Sequence, residues 1–250
     1  MVDPEASPWF PIGLRRRCKL PEVMDDPGLD EYAHYQALRG LSRLNWLSRT
    51  ARTFWHELTQ LAPPSNEAPI RVLDLACGGG DIAIRLARIA RRRSVAVTVD
   101  GCDLSARAVK FARAAAAQQG VSCRFFPLNV VTEPLPEGYD VFVTSLFLHH
   151  LEDSQLPIVL RHMADAARRG FVVDDLRRSV MGYLLADSAG HLVSGARVVH
   201  GDALLSVRAA FTMKEIEAFL DQAELTGYTL RRCFPCRFLL SWSKDSRDAS

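Results

Sequence analysis

Ile70-Arg71-Val72-Leu73-Asp74-Leu75-Ala76-Cys77-Gly78-Gly79-Gly80-Asp81-Ile82-Ala83 is the stretch whose reading decides the fold. It opens with a short apolar run, places an acid at Asp74, crosses three glycines and continues with Ile82, Ile84, Leu86 and Ile89 at helical spacing. That order reads as strand, tight loop and helix. Glycines at such a crossing allow positive φ, let the backbone approach a ligand closely and leave helix N-terminal N–H groups pointing outward. The loop is a candidate nucleotide cradle.

Downstream, the pattern repeats. Val95 to Val99 alternates and ends in Gly101-Cys102-Asp103-Leu104-Ser105, a second strand closing on an acid, with helix expected from Ala106 to Gln119. Ser122 to Phe126 reads as a third strand leading to Asn129 and Val130, and Tyr139 to Leu146 as a fourth. Leu156 to Arg168 reads as a crossover helix and Gly170 to Asp174 as a fifth strand. Strand and helix alternating in this way predict a doubly wound, mostly parallel α/β sheet, with ligands at the carboxyl ends of the strands. The loops after Asp74, Asp103, Asn129, Ser145 and Asp174 are expected to share one rim.

Residues 176–211 read as an insertion with some helix above that rim. Thr212 then caps a helix, with Glu215 completing a capping box. Tyr228 to Trp242 alternates as two strands around Phe234-Pro235-Cys236, an antiparallel hairpin at the sheet edge that brings the sheet to seven strands. Upstream, residues 1–20 are Pro-rich and read as an extended arm. A turn-like Met24-Asp25-Asp26-Pro27-Gly28 leads into a helical pattern that runs through Tyr35, Leu38 and Leu41, then Phe54 and Leu58, until Ala62-Pro63-Pro64 breaks it. Residues 1–66 are therefore expected to form an arm and helical lid, and residues 67–250 a Rossmann-like domain. The polar set Tyr35, Arg39, Arg43 and Asn45 among leucines favours a lid over padding, with Arg43 expected to reach the ligand.

At 250 residues and 48% apolar content the chain can bury a sizeable core. A net charge of +2 gives no electrostatic argument for nucleic acid, and the short arginine clumps, Arg15 to Arg17 among them, read as solvated ends. No stretch has the length of an apolar membrane span and no signal-peptide pattern follows the first arginines, so a cytoplasmic location is expected. Of six cysteines only Cys233 and Cys236 form a CxxC, without a second pair or histidines at ligand spacing; packed thiols and no metal are expected.

Two ligand classes use such a glycine loop. Gly78-Gly79-Gly80-Asp81-Ile82-Ala83 satisfies GxGxxG/A, and Asp103 stands at a plausible distance for a ribose diol, as in a dinucleotide site. Asp74, however, stands where an acid repels a pyrophosphate and can hold an ammonium.

Val72 to Gly80, with the acid, the glycines and the downstream Asp103, resembles the first motif of class I S-adenosylmethionine-dependent methyltransferases. Ala76 takes the place of the motif's first glycine. The resemblance implies that Asp74, Ala76, Gly78 and Gly80 form the cofactor loop and that Asp103 binds both ribose hydroxyls, with Leu104 beside it. It places Asn129 and Val130 at the adenine and Ser145 on the loop after the fourth strand. Met24-Asp25-Asp26-Pro27-Gly28-Leu29-Asp30, Ala37 to Asn45, Ser145 to Leu151, Asp175 to Ser179 and Ser206 to Thr212 are together similar to small-molecule methyltransferases found beside bacterial type III polyketide synthases. That narrower resemblance implies O-methylation of a phenolic or enolic, pyrone-like acceptor. Carbon methylation of a quinone precursor and a nicotinamide-dependent oxidoreductase are the alternatives.

For such an acceptor a base near neutral pKa removes the hydroxyl proton. His149 and His150 on the rim are the candidates, with His191 and His200 as rivals; packing beside the cofactor is the competing role. Arg177 and Arg178 are candidates for neutralising an acidic acceptor, and Phe147, Met181, Tyr183 and Leu184 for an apolar pocket. A small-molecule acceptor, no nucleic-acid or membrane partner, metal-free transfer and a homodimer complete the expectation.

Overall fold

The computed structural model describes residues 14–25, 28–64, 68–193 and 197–246. In chain order the elements are α1 (Glu31–Leu47), α2 (Thr50–Leu61), β1 (Ile70–Leu75), α3 (Asp81–Arg93), β2 (Val97–Asp103), α4 (Ala106–Gln118), β3 (Phe125–Pro127) and β4 (Val141–Ser145). They continue with α5 (Leu156–Ala166), β5 (Gly170–Leu176), α6 (Val180–Val193), α7 (Arg197–Ala209), α8 (Met213–Gln222), β6 (Thr229–Cys233) and β7 (Arg237–Ser243).

The seven strands form one sheet in the order β3-β2-β1-β4-β5-β7-β6. The first five are parallel, and β7 runs antiparallel between β5 and β6. Strand order reverses between β1 and β4, so their carboxyl ends flank the crevice where doubly wound sheets take ligands. The expected hairpin is present, but its second strand is the inner one: Phe238, Leu240 and Trp242 are buried on one face and Leu239 on the other. The more polar β6 is left at the edge.

Period-two alternation sorts the strand residues between two cores. Val72, Val141, Val143 and Val172 face α2, α3 and α4, together with Phe54 and Leu58; Leu73, Leu75, Phe142, Phe171 and Val173 face α5 and α8. Strands buried on both faces read as continuous apolar runs, which is why β1, β4 and β5 stand out in the sequence.

Met24 lies in a short 3-10 turn, as the turn-like stretch ahead of the helix predicts, and the first long helix begins at Glu31, with the Asp30 side chain accepting the Ala33 N–H at 3.1 Å. Two features differ from expectation. β3 starts at Phe125, not Ser122, because β2 offers it only Gly101 to Asp103 as partners, while the Arg124 N–H turns to the Asp100 carboxylate. The loosely patterned insertion consists largely of two helices, α6 and α7. The capping box of Thr212 and Glu215 forms as expected.

Candidate active site

The loop leaving β1 is left-handed at Ala76 (φ 52°), Gly78 (φ 51°) and Gly80 (φ 73°). At Gly80 a Cβ would stand 2.7 Å from the Phe125 ring, so both conformation and space require glycine there. Ala76 adopts the conformation its missing glycine would supply, at a strain of about 1 kcal/mol or more. Asp103 braces the loop: one carboxylate oxygen accepts the Gly78 N–H and the other the Ser105 N–H, each at 2.8 Å. These two bonds hold the carboxylate between the glycine loop and the start of α4.

Asp74 is 2% exposed and accepts the Ala83 N–H, in the first turn of α3, at 3.2 Å. Burial pushes its carboxyl well above the usual range, and the nearby Asp81 and Asp103 charges push it further, against the pull of that N–H. Asp81 is likewise raised by burial, partly offset by Arg85 and Asn45. The helix end beneath the glycine loop is thus furnished with acids. An anion is disfavoured there and a cation favoured.

On the same face of the sheet a polar network joins the lid to the rim. Arg237 pairs with Asp174 and also donates to Asn45 Oδ1 at 3.3 Å and Thr50 Oγ1 at 3.2 Å. Asn45 in turn donates to Asp81 at 3.3 Å and accepts from Ser145 Oγ at 3.4 Å. Burial raises Asp174, and the adjoining guanidinium offsets this only in part. Leu38 of α1 lies against Gly78 and Gly79, whereas α2 packs flat on the sheet through Phe54 and Leu58. Within the helical pair, α1 is the element that covers the glycine loop.

On the opposite face, Asp175 organises the loop after β4. One carboxylate oxygen accepts the N–H groups of Phe147 at 3.0 Å, Leu148 at 2.6 Å and His149 at 3.3 Å; the other meets His149 Nδ1 at 2.6 Å. Burial opposes the Asp175 charge, but the His149 ring and the Leu176 N–H outweigh it and hold the carboxyl below its ordinary value. An ionised carboxylate only accepts, so Nδ1 carries the proton and Nε2 is the atom that faces Glu22 Oε1, 3.9 Å away. His149 is 3% exposed, whereas His150 is half-buried, its ring centroid 4.3 Å from that of His149.

The other expected site residues differ in exposure and bonding. Arg43 is exposed on α1, and Asn45, two residues on, is the one that enters the network. The Asn129 side-chain carbonyl accepts the Val131 N–H at 3.1 Å, and Val130 is buried in the core. Leu104 is 70% exposed beside Asp103. Phe147 packs partly against the core and Tyr183 is half-buried on α6, while Met181 and Leu184 are exposed. Arg177 is bridged in the backbone to Phe211 and is half-buried. Arg178 is no solvated partner to it: buried, it donates to Leu14 O, Ala210 O and Glu215. The side chains of His191 and His200 lie outside the described residues.

Glu22 and Arg17 carry no sequence motif. Arg17, read as part of a solvated clump, donates to the carbonyls of His149 at 2.7 Å, Leu151 at 2.6 Å and Ala209 at 2.6 Å. It fastens residues 14–25 across the rim as a strap, where an extended arm was expected. Only the single acid among apolar neighbours at Glu22 could have drawn attention to it.

Residues 72–170 match the protein family described as Methyltransferase domain. Over those residues the chain carries a methyltransferase domain. A demethylmenaquinone methyltransferase of Thermus thermophilus is 35% identical over 81 residues, which span 32% of this chain and 35% of that one. A ubiquinone biosynthesis O-methyltransferase of Thiobacillus denitrificans is 28% identical over 202 residues, covering 73% and 84%. Among solved structures, the plantazolicin methyltransferase in complex with SAH superposes with a TM-score of 0.60 at 14% identity, over 83% of this chain and 88% of that one. Magnesium protoporphyrin IX methyltransferase from Synechocystis with bound SAH gives 0.54 at 18% identity, over 79% and 82%. Both share the methyltransferase fold. Among the described residues no helix is long and apolar enough to cross a membrane.

Proposed function

We propose that the protein moves the methyl group of S-adenosylmethionine to a hydroxyl oxygen of a small phenolic or enolic acceptor of the polyketide or pyrone kind. One observation carries the choice of donor. The first turn of α3, where a dinucleotide would set its pyrophosphate, is already occupied by the buried Asp74 carboxylate with Asp81 beside it. Those acids suit the ammonium of a methionine moiety, and Asp103 suits a ribose diol. S-adenosylmethionine supplies a sulfonium methyl that is already activated by charge. What remains for the chain is to hold the acceptor in line, exclude water and take a proton.

The acceptor side rests on the histidine pair. Asp175 orients His149, and the half-buried His150 stacked on it is the imidazole assigned to take the hydroxyl proton. A phenolate is equally the activated form for methylation at ring carbon, and the partial match to the Thermus thermophilus quinone enzyme favours that as the second reading. Incubation with S-adenosylmethionine and a panel of phenols, pyrones and quinols, read by mass spectrometry, is expected to show one added methyl. Its position on the product separates oxygen from carbon. His150→Ala is expected to lower turnover about 100-fold. Unchanged turnover would remove the base from that position.

A further inference from the structure

We propose that Glu22, His149 and His150 form a binding site for a divalent first-row transition ion of the zinc type. Each offers one ligand atom, and the three atoms lie within 4.8 Å of one another. Ligands around zinc at 2.0–2.1 Å stand roughly 3.3 Å apart in tetrahedral geometry, so the side chains need to close by up to about 1.5 Å.

Three further observations support the assignment. With Nδ1 directed to Asp175, His149 Nε2 faces the Glu22 carboxylate at 3.9 Å, too far for a hydrogen bond. Both groups are buried, and a cation between them would be held by the ring nitrogen and the carboxylate together. The groups behind the ligands are those of a built metal site: Asp175 orients His149, and Ser206 Oγ donates to Glu22 Oε1 at 2.5 Å. Lastly, the ligands come from two chain segments, the strap and the loop after β4, which Arg17 already fastens together.

Two imidazoles and one carboxylate match zinc-type ions and disfavour magnesium or calcium, which take oxygen ligands. Three protein ligands leave a fourth position. On the methyltransferase reading above, an ion held there would lower the pKa of an acceptor hydroxyl at that position, whose proton would pass to solvent, and His150 would serve as a ligand to the ion and not as the base. The site itself does not depend on that reading.

Chelator-stripped full-length protein, titrated with Zn²⁺ by calorimetry and with Co²⁺ by visible absorption, tests the site. The expected result is one ion per chain at micromolar affinity or tighter, a tetrahedral Co²⁺ spectrum and a raised Tm. Glu22→Gln and His150→Ala are each expected to weaken Zn²⁺ binding at least about 10-fold, the range seen when a site's supporting contacts are lost, and to abolish the spectrum. Circular dichroism confirms that each variant is folded. Calorimetry with S-adenosylmethionine on the same samples reports the cofactor loop separately. No binding at 100-fold excess of Zn²⁺, or binding unchanged in both folded variants, would overturn the proposal.

Discussion

The two halves of the rim are built by different means. Under β1 and β2 the polar groups are close neighbours in sequence: the glycine loop, Asp74 and Asp103 fall within 30 residues, and main-chain N–H groups do most of the bonding. Beyond β4 and β5 the site is a convergence of side chains, with Glu22 from the strap, the histidine pair, Asp175 and Ser206 meeting across 184 positions of chain. The adjacent acids Asp174 and Asp175 show the division within one strand. The pleat sends Asp174 to Arg237 and the lid, and Asp175 to His149. A donor common to many enzymes can be held by local backbone geometry, whereas an acceptor particular to one enzyme is met by side chains gathered from distant segments.

Three substitutions break or sharpen that contrast. Asp103→Ala has the largest expected effect: it removes the brace on Gly78 and two charged acceptors for the ribose, and S-adenosylmethionine affinity should fall about 100-fold or more by calorimetry. Acceptor-side metal binding should be untouched. Arg237→Ala comes next. It leaves Asp174 buried without its partner, and urea unfolding should show a loss of about 3–5 kcal/mol. The double change Arg237→Met with Asp174→Asn should recover part of it.

The smallest effect is a pH dependence. Asp74 has a folded-state pKa raised above its unfolded value near about 3.9. Between those two values the folded state binds the extra proton, so stability falls as pH rises through that window. Asp74→Asn should flatten this decline and raise the apo Tm at neutral pH while weakening S-adenosylmethionine binding. A steeper decline in the variant would contradict the assignment.

The same division governs what could be read from the chain. The parallel strands, the glycine loop and the capping box at Thr212 are encoded by local patterns, and they stand where those patterns predict. The terminal hairpin was legible as a pair, but the inner place of β7 depends on its burying apolar residues on both faces while β6 does not. The acceptor half was legible only at the histidine pair. Asp175 as the orienter of His149, Arg17 as a clamp and Glu22 as their neighbour depend on contacts between distant segments, and no local period signals those. Arg43 and Asn45 illustrate the limit: both are polar residues among leucines on α1, and only the helix's orientation on the sheet decides which one turns inward.

The central claim is that the acid-lined glycine loop takes a methyl donor and not a dinucleotide. Isothermal titration of the full chain with S-adenosylmethionine and, separately, with NADH tests it most directly. The structure predicts saturable one-to-one binding of S-adenosylmethionine that is lost in Asp103→Ala, with no heat from NADH. Binding of NADH in the absence of any S-adenosylmethionine binding would contradict it.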